Sequence, residues 1–255
     1  MKISDLDRSN KLFIPYFPMG YPDLPTSIDV LEALAKNGAD ILEIGMSFSD
    51  PLADGPVIQH ATQVALSNGV TIEKTLQAVA TLRHRGVTIP LVLMGYYNPL
   101  LAFGLKRFVE RIRAVDIAGL IIPDLPLEEA DDLLAVLGDI PLIQMVAPTT
   151  PKDRIAELAK NAGLFIYLVS ITGITGSGSS FALNLPDLIA EIRQHSDLPI
   201  CIGFGIDSAQ KASQTAILAD GVIVGTHVIK AIGGSNDPVM VATTLAREFR
   251  VALKG

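Results

Sequence analysis

The chain has 255 residues, 49% of them apolar, a formal net charge of −7 and a single cysteine, Cys201. That length suits one large folded domain or two small ones, the acidic balance and the lack of Trp argue against a nucleic-acid partner, and one cysteine excludes an internal disulfide and fits a reducing, cytoplasmic setting. No run of about 18 uninterrupted apolar residues occurs, so no membrane span is expected, and residues 1–11 are polar, without the apolar core of a signal peptide.

In chain order, short apolar runs are followed by loops rich in Gly, Pro and Asp and then by amphipathic stretches. The runs predict eight strands, at residues 12–17, 40–44, 91–95, 119–122, 142–146, 164–169, 200–202 and 221–224. Most are continuously apolar rather than alternating, as parallel strands covered on both faces are. The first helix is signalled by Thr26 as its cap, an apolar face of Leu31, Leu34 and Ala35, and Gly38 at its end. Residues 55–86 exceed one crossover and predict two helices. Others are predicted at residues 127–137, 185–193, 208–218 and 239–253, and one starts after Thr149-Thr150-Pro151. Eight such units in about 250 residues have the size and rhythm of a (β/α)8 barrel of the α/β class, here a single domain over residues 1–255. A doubly wound open sheet is the alternative. However, the glycine-rich loops follow late strands rather than the first, and no GxGxxG occurs. The tract Ser177-Gly178-Ser179-Ser180 reads as a mobile loop rather than a domain boundary.

Chemistry is expected where barrel strands end. Glu43 interrupts the apolar run Ile41, Leu42, Ile44. A carboxyl group buried there costs several kcal/mol unless paired or protonated, and its pKa is pushed toward the range an acid/base needs. The other reading is a Glu that turns aside to cap a backbone group or pair with a Lys. The loop that follows brings Asp50 and Asp54, which also suit plain turn chemistry in Ser-Asp-Pro and Ala-Asp-Gly. Later strand ends bring Tyr96, Tyr97 and Asn98, then Asp124, then Tyr167, Thr172 and Thr175. Three glycine sites, at Gly173 and Gly176, Gly203 and Gly205, and Gly225, follow successive late strands and suggest a phosphate held by backbone N–H groups and a short helix N-terminus, although plain turns also favour Gly. No Lys or Arg stands out in those loops. The four His residues have no metal-ligand spacing, and no Lys lies in the late strands to form a Schiff base. These residues point to a site without metal or cofactor that performs carboxyl acid/base chemistry on a phosphorylated small molecule.

Phe48-Ser49-Asp50-Pro51-Leu52-Ala53-Asp54-Gly55-Pro56 resembles the signature of the tryptophan synthase alpha subunit family. Leu93 to Pro99, Pro123-Asp124-Leu125-Pro126, Val146 to Pro151, Thr172 to Gly176 and Gly203 to Ile206 match that family in order. The resemblance implies a (β/α)8 barrel that cleaves indole-3-glycerol phosphate to indole and glyceraldehyde 3-phosphate by a cofactor-free retro-aldol reaction. It implies Glu43 as the acid/base and Asp54 as the acceptor of the indole N–H. It further implies that Tyr16, Leu93, Met94, Tyr96, Tyr167 and Phe204 line the substrate pocket, that Thr175 reaches Asp54 on closure, and that Gly176, Gly205, Gly225 and Thr226 hold the phosphate. It also implies a pyridoxal-phosphate-dependent beta subunit as partner in an α2β2 complex, contacted near Asp50, Pro51, Asn98 and Pro126, with indole passing between subunits. The chain departs from the family at Ser47, where Pro is usual, at Tyr21, at Thr226, and at Ser177-Gly178, where Ala-Arg is common. The alternatives are a related phosphosugar barrel isomerase or epimerase, and a barrel kept only as an allosteric subunit. The long first signature opposes the former, and Glu43 with Asp54 opposes the latter.

Overall fold

The computed structural model describes residues 10–169, 184–203 and 205–254. Eight short strands carry the fold: β1 (Leu12–Pro18), β2 (Leu42–Gly45), β3 (Leu91–Met94), β4 (Gly119–Ile121), β5 (Met145–Val146), β6 (Ile166–Val169), β7 (Ile200–Gly203) and β8 (Gly221–Val224). All pair in parallel, in the order β4-β3-β2-β1-β8-β7-β6-β5. The two ends of that order meet. Leu120 of β4 bridges Leu142 in parallel, with the Leu120 N–H on the Pro141 carbonyl at 3.0 Å and the Ile143 N–H on the Leu120 carbonyl at 2.8 Å. The sheet therefore closes into a barrel, as its eight β-then-α units predict.

Helices α1 (Leu24–Asn37), α2 (Pro56–Ser67), α3 (Ile72–His84), α4 (Tyr97–Phe103), α5 (Leu105–Ala114), α6 (Asp131–Leu137), α7 (Lys152–Asn161), α8 (Leu185–Arg193), α9 (Ala209–Ala216), α10 (Thr226–Gly233) and α11 (Pro238–Ala252) join the strands. As expected, residues 55–86 hold two of them. The strands are buried nearly throughout, because helices cover their outer faces and side chains fill the interior. Among the described residues, no helix is long and apolar enough to cross a membrane.

Four local expectations are corrected. Asp23, not Thr26, caps α1: its carboxylate accepts the Thr26 N–H at 2.8 Å and the Thr26 hydroxyl at 2.8 Å, and Pro25 occupies the first turn. The helix expected at residues 127–137 is a 3-10 turn, Leu127–Glu129, then α6, broken at Ala130. The fifth strand, expected at 142–146, divides its pairing, with Leu142 bridging β4 and Met145–Val146 pairing β6. Short helices α4, α5 and α10 lie where the sequence pattern predicts only strand ends and loops.

A polar knot helps fasten the N-terminal rim. The Asp40 carboxylate accepts the Phe13 N–H at 2.7 Å and the Arg250 guanidinium at 2.7 Å, and Arg250 also reaches the Lys11 carbonyl at 2.6 Å. This ties β1, the approach to β2 and α11 together. The same rim shows a close approach: Gly38, at φ +147°, lies against the Ala246 carbonyl of α11, where any Cβ would collide.

Candidate active site

At the opposite end of the strands, Glu43 of β2 is level with Tyr16 of β1 and Val92 of β3. It is 3% exposed. Its Oε2 has no hydrogen-bond partner among the described residues, and no Lys or Arg pairs with it. Of the two readings open from sequence, the structure removes the one in which Glu43 turns aside to a Lys. Burial, and secondarily the charge of Asp54, push its pKa up to about 8. At neutral pH the group is therefore largely protonated and able to give up a proton.

Asp54 comes from the loop after β2. That loop is folded on itself by the Leu52 N–H on the Asp50 carbonyl at 3.0 Å and the Asp54 N–H on the Pro51 carbonyl at 3.1 Å. It is pinned to β3 by the Ala53 N–H on the Tyr96 hydroxyl at 3.1 Å. Burial raises the Asp54 pKa to about 6, and a hydrogen bond from Tyr96 opposes the rise. Asp50 is exposed, and the Ser49 hydroxyl bonds to its carboxylate. Asp124 accepts the Tyr97 N–H at 2.9 Å, which satisfies the start of α4.

Glu43 and Asp54 share a cavity of about 270 Å³ at the C-terminal mouth of the barrel. Tyr16, Met94, Tyr167, Gly205, Gly225 and Thr226 also line it, so the described structure brings most of the sequence-derived site together. Leu93 does not join it: the residue is fully buried between Val92 and Met94, and alternation along β3 turns it toward the surrounding helices. Tyr96 acts from behind, through its hydroxyl on the Asp54 loop, rather than as a wall. Thr175, Gly176 and Phe204, with the Ser177-Gly178 tract, lie outside the described residues.

Two phenols cross the cavity floor. A Cβ on Gly45 would collide with the Tyr16 hydroxyl, and one on Gly203 with the Tyr167 hydroxyl. Glycine at these two positions is what lets each ring lie across its neighbouring strand. Burial first, then the nearby carboxyl groups, hold both phenols well above their usual pKa, so they stay protonated.

On the far side the cavity changes character. Gly205, at φ +73°, follows β7, and Gly225 is the N-cap of α10, where no side chain takes up the first N–H groups. Gly225 also lies close under Tyr16, so that a Cβ there would come within 3.2 Å of the ring. An open helix N-terminus beside glycine backbone suits an anion. Sequence reasoning missed three side chains here: Asp207, His227 and Lys230. Thr226 and Lys230 are four apart on α10, so they share a helical face, a signal visible only once α10 is recognised.

The sequence profile of the family described as tryptophan synthase alpha chain matches residues 3–253. A tryptophan synthase alpha chain from Chloroflexus aurantiacus is 49% identical over 218 residues, covering 85% of this chain and 82% of its own length. Tryptophan synthase subunit alpha from Campylobacter jejuni superposes with a TM-score of 0.87 at 37% identity, covering 98% of this chain and 99% of its own. A crystal structure of tryptophan synthase from M. tuberculosis superposes with a TM-score of 0.87 at 33% identity, covering 99% and 96%.

Proposed function

This chain belongs to the tryptophan synthase alpha chain family, and from that premise we propose how its cavity performs the family's reaction, the retro-aldol cleavage of indole-3-glycerol phosphate to indole and glyceraldehyde 3-phosphate. The observation that carries the proposal is the pairing of a buried carboxyl group lacking a partner at Oε2 with a second, more acidic one in the same cavity. Glu43 starts protonated and gives its proton to C3 of the indole ring. The ring nitrogen's lone pair moves into a C–N double bond and the ring becomes cationic. Asp54, ionised, accepts the ring N–H and stabilises that charge. The C–C bond to the side chain then breaks, its electron pair restoring the aromatic ring. The side-chain hydroxyl becomes the aldehyde as its proton passes to the Glu43 carboxylate, which leaves Glu43 as it began. No cofactor enters these steps.

The two raised pKa values support separate roles, because between about 6 and about 8 Glu43 holds its proton and Asp54 does not. Tyr16, Met94 and Tyr167 enclose the indole ring, while Gly205, Gly225 and Thr226, with Gly176, take the phosphate. Thr175 and Phe204 complete the pocket. The beta partner implied by the family docks on the rim that bears Asp50, Pro51, Asn98 and Pro126, where Leu52 is 89% exposed. The assembly is α2β2 and cytoplasmic, with pyridoxal phosphate confined to the beta subunit. Indole release from purified protein, with and without the beta subunit, tests the reading. No release under either condition would overturn it.

A further inference from the structure

The cavity that receives a phosphorylated substrate is acidic. Glu43, Asp54 and Asp207 all line it, in a chain of net charge −7. Against them stands Lys230, the sole Lys or Arg among its described lining residues. Lys230 lies one turn beyond Thr226 on α10, on the face shared with the open N-terminus at Gly225. Among the described residues its ammonium takes part in no ion pair or hydrogen bond, although this chain pairs many of its other cations. Its side chain also borders the neighbouring groove of Tyr21, Val57, His60, Ile229 and Gly233, which is largely apolar and gives a cation little reason to turn that way. His227, the remaining basic group, has its ring 5.8 Å from Phe249.

We propose that Lys230 is a phosphate-binding residue of this site, supplying the fixed positive charge that lets a dianion enter a cavity that Asp54 and Asp207 also line. The proposal rests on the reading of the cavity given above and adds a side-chain cation to what that reading assigns to backbone dipoles. Helix and glycine N–H groups carry partial charges only. They can orient a phosphate but leave the repulsion from Asp207 and Asp54 in place. A full charge on a flexible, exposed stem suits capture and retention of the dianion rather than the bond-breaking step. Lys230 is therefore a binding residue, and its loss should appear in affinity and in salt dependence.

The experiment compares wild type with Lys230→Met and Lys230→Arg. Isothermal titration measures binding of glycerol 3-phosphate and of indole, which carries no phosphate, at low and at physiological ionic strength. Steady-state indole release gives KM and kcat on the same proteins. In the Met variant, glycerol 3-phosphate affinity and KM should weaken by roughly 5–30-fold, as for loss of a charge-assisted contact that is partly exposed. Indole binding should stay within twofold, kcat should fall far less than KM rises, and the weakening of wild-type affinity with salt should flatten. Arg should restore most of the affinity. A Met variant that binds glycerol 3-phosphate as wild type does would overturn the role of Lys230 alone. Equal losses for indole and glycerol 3-phosphate would also overturn it, because they would mean that Lys230 only shapes the pocket. Wild-type protein that binds no glycerol 3-phosphate would overturn this proposal together with the reading beneath it.

Discussion

Asp40 and Glu43 lie three residues apart in one stretch of chain, the first just before β2 and the second within it facing the cavity, and the structure treats them differently. Asp40 is given donors from two directions, the Phe13 N–H and the Arg250 guanidinium, each at 2.7 Å. Glu43 sits in β2 with Oε2 unpartnered, and burial carries its pKa to about 8. A carboxylate supplied with donors becomes a staple between elements. The same group denied them stays protonated near neutrality and is available for proton transfer. Pairing is supplied to the carboxylate that precedes β2 and withheld from the one that faces the cavity at the C-terminal mouth, where barrel chemistry belongs.

The sharpest way to break this contrast is Glu43→Gln. Turnover should fall by roughly 10²–10⁴-fold, since the amide cannot shuttle protons, while the melting temperature holds or rises. The pH dependence of stability gives the sign. Between the ordinary value of 4.5 and about 8, the unfolded chain releases the Glu43 proton and the folded chain keeps it. Wild type therefore has this stabilising contribution in full below about pH 4.5 and loses it as pH rises toward about 8. The Gln variant has no such loss, so thermal melts should move in its favour across that window. Retention of more than about a tenth of wild-type turnover would remove Glu43 from the mechanism.

Asp54→Asn follows. Losing the charge that faces the indole nitrogen should raise the barrier by roughly 3–4 kcal/mol. In wild type, kcat/KM should be highest between about pH 6, above which Asp54 is ionised, and about pH 8, below which Glu43 is protonated. The Asn variant should keep the basic limb and show a shallower acid limb, set by the substrate phosphate alone. An Asn variant with wild-type rates and an unchanged profile would return Asp54 to a turn residue.

The third test concerns Asp40 itself. Asp40→Ala should cost about 2 kcal/mol, because Arg250 and the Phe13 N–H lose their acceptor in a half-buried place. For a chain of this size that lowers the melting temperature by about 4–8 °C, while kcat well below the transition stays near wild type. A large loss of kcat instead would mean that the two carboxyl groups are coupled and the contrast is false.

Much of this is legible in the chain. Eight continuously apolar runs predict parallel strands covered on both faces, their number and spacing favour the barrel over an open sheet, and Glu43 stands out as a polar break in one of them. What escapes is local competition. Thr26 has the right chemistry for a cap, but the helix starts three residues earlier, where Asp23 accepts both the Thr26 N–H and the Thr26 hydroxyl. Leu142 and Met145 read as one strand because sequence carries no sign of which neighbour each will pair. Leu93 and Met94 are equally apolar, and their opposite directions follow only from the strand's register. Lys230 escapes because the sequence pattern marks no helix at α10, so the four-residue spacing to Thr226 has nothing to give it meaning.

The smallest expected effect sharpens the comparison most, because it concerns an intermediate case. Asp54 has neither the two donors of Asp40 nor the unpartnered oxygen of Glu43. It has the Tyr96 hydroxyl, which also accepts the Ala53 N–H at 3.1 Å and so holds the loop to β3. Tyr96→Phe keeps the ring, and with it the 5.5 Å packing against Phe48, but removes the hydroxyl. The lost hydrogen bond opposed the upward shift of Asp54, so the Asp54 pKa should move further above about 6. Turnover near neutrality should then fall by roughly 5–10-fold, the effect of one hydrogen bond to a charged group. The loss should shrink as pH is raised toward 8, where Asp54 ionises again while Glu43 still holds part of its proton. A uniform loss at every pH would mean that Tyr96 acts by fastening the Ala53 backbone and not by tuning Asp54. If instead the loss shrinks on the alkaline side, the number of donors around each carboxyl group decides whether it fastens the barrel, carries charge or moves a proton.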